Sequence, residues 1–339
     1  MANVLITGGA GFIGINYAAR LLQCGHTVTL FDNLSRRGSK ENIDWIRKTF
    51  SNGLKIAIGD VRDIESVNSA VADQDAIFHF AAQVAVTESV RYPREDFEIN
   101  AVGTFNVLEA ARMSGRNPLV VYASTNKVYG GMDQLTVVES EKRWDYKDLP
   151  LGISEIHPLD FHSPYGCSKG AGDQYVRDYA RIYGLPTVVF RQSCIYGMRQ
   201  YGIEDQGWLA HFVISILKES DINIYGDGKQ VRDILWVDDL LDAYDLVLSD
   251  PSQFAGRVFN IGGGSEFTVS IWHEMEPILS ELSGRNISVT HNDWRPGDQK
   301  VYISDITSIE ECGWKPKIDP MTGVSMLWNW VSDNISLVS

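Results

Sequence analysis

The chain has 339 residues, a formal net charge of −14, and 44% hydrophobic and 22% charged residues. That length suits one large domain or two intimate ones, and the apolar content is ordinary for a globular protein. The acidic balance excludes nucleic acid and anionic membrane surfaces as main partners. No apolar run is long enough to span a bilayer, and the chain enters a strand-like Val4-Leu5-Ile6 without a basic leader, so a cytoplasmic location is expected. Cys24, Cys167, Cys194 and Cys312 are scattered without a C-x-x-C pair; free thiols are expected rather than disulfides or zinc. His273-Glu274-Met275-Glu276-Pro277 lacks the second histidine of a zinc helix, so no metal is expected. The sequons at Asn286 and Asn334 carry no weight in a chain without secretory features.

In chain order, short β-branched runs at 4–7, 27–31, 55–58, 76–80, 119–123 and 187–190 alternate with helical-period stretches at 12–23, 95–113 and 165–183. That alternation predicts an α/β fold, a parallel sheet with helices on both faces. Beyond it, helices are predicted at 207–219, 237–248 and 269–282 and a strand at 258–261, with turns at 226–228 and 295–298. The division falls at 1–190 and 191–339, with segments expected to interleave.

The first strand runs into Thr7-Gly8-Gly9-Ala10-Gly11-Phe12-Ile13-Gly14. Glycines at that spacing, between a strand and a helix, let the backbone approach a pyrophosphate whose charge sits on the helix N-terminus. The second strand ends in Phe31-Asp32-Asn33. A carboxylate there accepts hydrogen bonds from the adenosine ribose and repels a 2′-phosphate, which favours NAD over NADP. Arg36 and Arg37 nearby are the residues that could hold a phosphate instead. Asp60, after the third strand, reads either as a contact to the adenine amino group or as a turn-capping aspartate. Tyr165 and Lys169 stand one helical turn apart, so phenol and ammonium share a helix face. A nearby ammonium favours the phenolate and would make the tyrosine a general base nearer neutrality.

These marks, with Gly59-Asp60-Val61, His79-Phe80-Ala81-Ala82-Gln83, Asn100, Gly103-Thr104, Ser124-Thr125-Asn126-Lys127-Val128-Tyr129-Gly130, Gly226-Asp227-Gly228, Arg232-Asp233 and Asn260-Ile261-Gly262, resemble the extended short-chain dehydrogenases/reductases of the nucleotide-sugar epimerase and dehydratase group. The resemblance covers essentially the whole chain. It implies a Rossmann-type doubly wound sheet with a smaller C-terminal mixed α/β substrate domain. It also implies NAD as cofactor, held by Gly8, Gly11, Phe12, Ile13, Gly14, Asp32, Asn33, Asp60, Val61, Phe80, Ala81, Ala82, Asn100, Tyr165 and Lys169. In such enzymes the tyrosine is the acid/base, the lysine anchors the nicotinamide ribose and lowers the tyrosine pKa, and a Ser or Thr hydroxyl binds the reacting oxygen. By position these are Tyr165, Lys169 and Thr125.

The group's 4,6-dehydratases follow that threonine with Asp-Glu, an acid and a base that expel water. Here Asn126-Lys127 stands instead, and neither residue supplies that chemistry, so epimerisation through a transient ketone is the expected reaction. STNKVYG at 124–130, LDFHSPYGCSKGAGDQY from Leu159, DQGW from Asp205 and GDGKQVRD from Gly226 resemble the nucleotide-sugar 2-epimerases within the group. The similarity implies a nucleotide-sugar substrate held by Gln83, Thr125, Asn126, Ser193, Gln206, Trp208, Arg232 and the Arg295/Asp298 pair. Arg232 reads as a fork for the diphosphate or as the partner of Asp233 or Asp239. Trp208 reads as a stacking residue or as core, and His162 as a pocket or a packing residue. The family commonly pairs subunits through two helices from each, here 95–113 and 165–183, so a homodimer or homotetramer is expected.

Overall fold

The computed structural model describes residues 1–295 and 298–338. The chain forms two compact units, each assembled from several segments. The first comprises Met1–Val128, Ser163–Arg191 and Ala243–Phe259; the second comprises Tyr129–His162, Gln192–Asp242 and Asn260–Ser339.

A seven-stranded sheet organises the first unit. Its strands are β1 (Asn3–Thr7), β2 (Thr27–Asp32), β3 (Leu54–Ile58), β4 (Ala76–His79), β5 (Leu119–Thr125), β6 (Thr187–Gln192) and β7 (Val258–Ile261). The spatial order is β7-β6-β5-β4-β1-β2-β3, and the pairings from β3 through β2, β1 and β4 to β5 are parallel. The order reverses beside β1, the switch point at which an open α/β sheet binds ligands outside its carboxyl ends.

Both faces of the sheet are covered, and β4 shows why. Successive strand residues point to opposite faces. Ile77 packs with Val67, Val107 and Val176, which come from helices Ile64–Val71, Gly103–Met113 and Ser163–Tyr183. Phe78 meets Tyr17 of helix Phe12–Gln23 and Tyr244, at ring-centroid distances of 4.6 and 5.5 Å. All these side chains are at most 1% exposed, and each large one contributes roughly 1.5–3 kcal/mol of burial.

Two elements differ from the sequence expectation. The helix expected over 95–113 is present but runs through a π-turn at Glu98–Val102. The helix expected over 269–282 is instead a strand, Thr268–Ser270, followed by a helix at Met275–Ser283. β-Branched Thr268 and Val269 pair antiparallel with Asp233 and Arg232. Pro277, lacking an N–H, is accommodated only in a first turn, so the helix begins just ahead of it. The turn expected at 295–298 includes residues 296 and 297, which lie outside the described residues.

Candidate active site

The glycine turn after β1 is built by close approach. Gly8 has φ +66°, and a Cβ there would sit 2.7 Å from the Ala81 amide nitrogen and 2.8 Å from the Phe80 carbonyl carbon. Only glycine fits that position. Gly11 precedes the helix without a capping side chain, so the first-turn N–H groups around Phe12, Ile13 and Gly14 are open to an anion. A Cβ on Gly14 would lie 2.5 Å from the Gly8 carbonyl oxygen. A turn this tight, at an uncapped helix N-terminus, fits the pyrophosphate of a dinucleotide. Phe80, Ala81 and Ala82, expected to line the same site, are only partly buried.

Asp32, at the end of β2, accepts hydrogen bonds from the Ala10 and Leu34 amides at 3.0 and 2.8 Å. Burial raises its pKa, and those two hydrogen bonds oppose the rise. Asn33 donates to Asp60 at 2.8 Å. The Arg62 guanidinium grips the same carboxylate at 2.9 and 2.8 Å, and the Arg62 amide donates to it at 2.9 Å. Arg62 holds the Asp60 carboxyl far below the usual carboxylate range. Asp60 therefore closes a turn. Val61 is core, seated against Gly103.

Thr125 ends β5, and Asn126 and Lys127 lie in the 3₁₀ turn that follows. The Thr125 hydroxyl donates to Asn126 Oδ1 at 3.3 Å and accepts from the Lys127 amide at 3.3 Å. Tyr165 and Lys169 lie on helix Ser163–Tyr183, whose first turn is capped by Ser163 accepting the Gly166 amide at 3.2 Å. Tyr165 and Thr125 are both buried, and the Thr125 hydroxyl acts on the phenol, lowering its pKa.

The electrostatics differ from expectation. Burial pushes the Tyr165 phenol up to about 12; the Thr125 hydrogen bond pulls it down, Asp96 raises it and Arg36 lowers it. Burial also drives the Lys169 ammonium down to about 7, against the pull of Asp173 and Asp96. The lysine expected to acidify the tyrosine is itself destabilised as a cation, because both groups are removed from water.

Around the pair lies a buried polar network in which the sequence marked Asn100 and Gln83 but not their partners Asp96 and Ser168. Asn100, carried by the π-turn, donates to the Gln83 carbonyl, Asp96 and Ser168 at 3.0, 3.1 and 3.1 Å and accepts the Gln83 amide at 2.9 Å. Its amide hydrogens are directed at protein acceptors, so it braces the Gln83 loop against the catalytic helix. The Gln83 side chain donates to Asp96 at 3.2 Å, and Ser168 donates to Asp96 at 2.5 Å. His79 bridges Thr7 and Thr104 at 2.6 and 3.0 Å. Burial, then Lys169, pushes its pKa down to about 3, so it stays neutral.

The other substrate candidates belong to the second unit. Arg232, 5% exposed, pairs with Asp298 at 2.6 Å rather than with Asp233 or Asp239. Asp233 instead accepts the Ser193 hydroxyl, and Asp239 accepts the Lys317 and Ile318 amides at 3.0 and 2.9 Å. Arg295 does not pair with Asp298 through its side chain. It bridges to Asp205 at 3.1 Å and lies 4.0 Å from the Tyr225 ring centroid. Gln206 exchanges backbone hydrogen bonds with Ile203 at 2.9 and 3.0 Å. Trp208 opens helix Trp208–Leu217, half-buried with its ring edge against Phe212. His162 is exposed. Among the described residues, no group of three or more His, Cys, Asp or Glu could hold a metal.

A parallel sheet with a glycine turn, an acidic β2 terminus and a buried Thr/Tyr/Lys set defines a Rossmann-type, nicotinamide-dependent enzyme. The family model for the NAD dependent epimerase/dehydratase family matches residues 4–262, and the chain belongs to that family. It is an NAD-dependent enzyme of the epimerase type. A CDP-paratose 2-epimerase from Salmonella typhi is 42% identical over 97% of this chain and 99% of its own length. Among solved structures, a Thermotoga maritima UDP-glucose 4-epimerase with UDP-glucose superposes with TM-score 0.84 at 29% identity, covering 98% of this chain and 99% of that one. A Streptomyces venezuelae dTDP-glucose 4,6-dehydratase with NAD bound also gives TM-score 0.84 at 29% identity, covering 98% of each chain.

Proposed function

We propose that the protein epimerises a nucleotide-diphosphate hexose at C2, with CDP-paratose converted to CDP-tyvelose as the reaction to test first. The observation that carries the chemistry is the buried set of Thr125, Tyr165 and Lys169, in which Tyr165 and Lys169 stand one helical turn apart and the Thr125 hydroxyl lowers the pKa of the phenol. The choice of sugar and carbon is supported by the 42% identity, along nearly the full length of both chains, to a CDP-paratose 2-epimerase. Asn126-Lys127 supports epimerisation over loss of water, because it offers no carboxyl acid or base next to Thr125.

NAD, when bound, supplies the oxidant and the reductant of the cycle, so substrate and product have the same oxidation level. Gly8, Gly11, Gly14 and Asp32 would hold it. Thr125 orients the sugar hydroxyl; Tyr165 takes the hydroxyl proton as the sugar carbon is oxidised to a ketone and returns it after the sugar has turned its other face. Lys169 supplies positive charge beside the phenol. The first unit would bind the dinucleotide, and the second, through Ser193, Gln206, Trp208, Arg232, Arg295 and Asp298, the nucleotide sugar. Phe105 and Tyr175, 42% and 51% exposed with their rings meeting edge-on at 5.9 Å, support a homo-oligomer formed through helices of the first unit, since exposed apolar contacts between helices mark subunit interfaces.

Incubating the purified protein with CDP-, UDP-, GDP- and dTDP-hexoses, without added NAD, and reading C2 and C4 stereochemistry by NMR tests this reading. Inversion at C2 of CDP-paratose is the expected result. Inversion only at C4, or net accumulation of NADH, would replace it with a 4-epimerase or an oxidoreductase.

A further inference from the structure

A buried ion pair inside the first unit takes no direct part in the proton transfer described above. Arg191 is 1% exposed and Asp173 is 0% exposed. The guanidinium forks onto the carboxylate through Nε at 2.9 Å and Nη2 at 3.0 Å. The oxygen that accepts Nε also accepts the Ser124 hydroxyl at 2.8 Å, and the other accepts Gln174 Nε2 at 2.8 Å. All four donor contacts fall on one carboxylate.

Stability is a weak account of such a pair. Removing two charges from water costs about as much as their attraction returns, and apolar replacements of similar volume are often as stable. Its placement is more informative. Asp173 lies one turn beyond Lys169 and two turns beyond Tyr165 on the same helix. Ser124 is the neighbour of Thr125 at the end of β5, and Arg191 is near the end of β6. The helix is also seated tightly on β5, where a Cβ on Gly172 would lie 2.4 Å from the Tyr122 phenolic oxygen. A single carboxylate thus ties the helix bearing Tyr165 and Lys169 to the strand that ends in Thr125.

We propose that Ser124 and Arg191 are positioning residues of the catalytic centre, acting through Asp173 to hold Tyr165 and Lys169 in register with Thr125. Proton transfer between groups held by a helix and a strand depends on that register, and a displacement of about 1 Å at such a site can cost roughly 100-fold in rate. The second carboxylate near Lys169, Asp96, belongs to the separate Gln83–Asn100–Ser168 network, whereas the Asp173 cluster reaches both β5 and β6.

The inference rests on Tyr165 and Thr125 being the reacting pair. Its test uses the NAD-loaded full chain, the nucleotide sugar turned over by the wild type, and two variants. Ser124→Ala leaves the ion pair in place, and Arg191→Lys keeps the charge but loses the fork. In each, kcat is expected to fall about tenfold, with KM and NAD content within twofold of wild type. In a Thr125→Ala background, Ser124→Ala should lower kcat by less than twofold, because its effect runs through Thr125. An unchanged kcat in Ser124→Ala, or the same tenfold loss with Thr125 already removed, overturns the proposal. If Arg191→Lys does not fold, Ser124→Ala decides. If the wild type turns over no nucleotide sugar, the functional reading fails on its own. The positioning claim is then settled by crystal structures: in Ser124→Ala, Thr125 Oγ1 and Tyr165 Oη should separate by about 0.5 Å or more, and an unmoved pair rejects it.

Discussion

The Lys169 ammonium nitrogen lies 4.2 Å from the centroid of the Tyr122 ring, over the face of a side chain that is itself fully buried. Tyr122 also donates its hydroxyl to the Lys169 carbonyl at 3.3 Å. The aromatic face partly replaces water for the cation, and Asp173 and Asp96 add negative potential, yet burial still brings the lysine down to about 7. The catalytic helix therefore carries a charge whose presence depends on pH in the neutral range.

That dependence has a sign. Lys169 titrates near 10.5 when unfolded and near 7 when folded, so between these values the unfolded chain binds more protons and stability rises with pH. Below about 7 both states are protonated and the full cost of burying the cation is present. Tyr165, raised from 10 to about 12, acts in the opposite sense only above about pH 10. Lys169→Met removes the lysine contribution. Its stability relative to wild type should be most favourable near pH 7 and should decline by up to about 3 kcal/mol by pH 9.5. Urea midpoints of both proteins at the two pH values measure this; parallel pH trends would show that the lysine does not titrate there.

Tyr165→Phe keeps the buried ring and deletes the proton carrier. Turnover should fall by roughly 10²–10⁴-fold, while the protein still purifies with NAD. Turnover is read by NMR and cofactor by absorbance after denaturation. Full activity in this variant would remove Tyr165 from the mechanism.

Gly8→Ala places a methyl group 2.7 Å from the Ala81 nitrogen at a φ of +66°. The left-handed conformation alone costs about 1–2 kcal/mol, and the clash falls on backbone that cannot swing aside. A lowered melting temperature and loss of co-purifying NAD are expected together. Retention of NAD at wild-type stoichiometry would mean that the turn has slack.

Asp32→Ala strips the acceptor from the Ala10 and Leu34 amides, which should cost about 1–3 kcal/mol of stability. It also removes the carboxylate that would face a 2′-phosphate. The preference for NAD over NADP should narrow by roughly tenfold or more, on the scale of repulsion between two charges in a partly buried site. Competitive binding of the two nucleotides to stripped protein reports the ratio, and an unchanged ratio would place the discrimination elsewhere, with Arg36 and Arg37 the next to examine.

The alternation of β-branched runs and helical periods marked six of the seven sheet strands within two residues at either end, and strand 258–261 was marked as well. That succeeded because the inner strands are buried on both faces and read as short apolar runs; the edge strand Leu54–Ile58, with Lys55 and Ile58 exposed, was marked by its isoleucines instead. Short strands such as Val137–Glu139 and Trp144–Tyr146 escaped, since three residues carry no period. Glycine spacing, Asp32 and the Tyr165/Lys169 pair were visible because backbone approach and helix geometry act over a few residues. Asp96, Ser168, Asn100 and Gln83 meet through contacts that no local pattern encodes.

Sequence by itself determined the cofactor turn, the Tyr165/Lys169 spacing and the absence of a carboxyl pair after Thr125, because each is set by residue type within one turn or one strand end. Tertiary structure alone decided the partner of Arg232, the brace around Asp173 and the protonation of Lys169. A pKa or an ion pair depends on which distant groups are removed from water together, and only the folded chain brings those groups into one place.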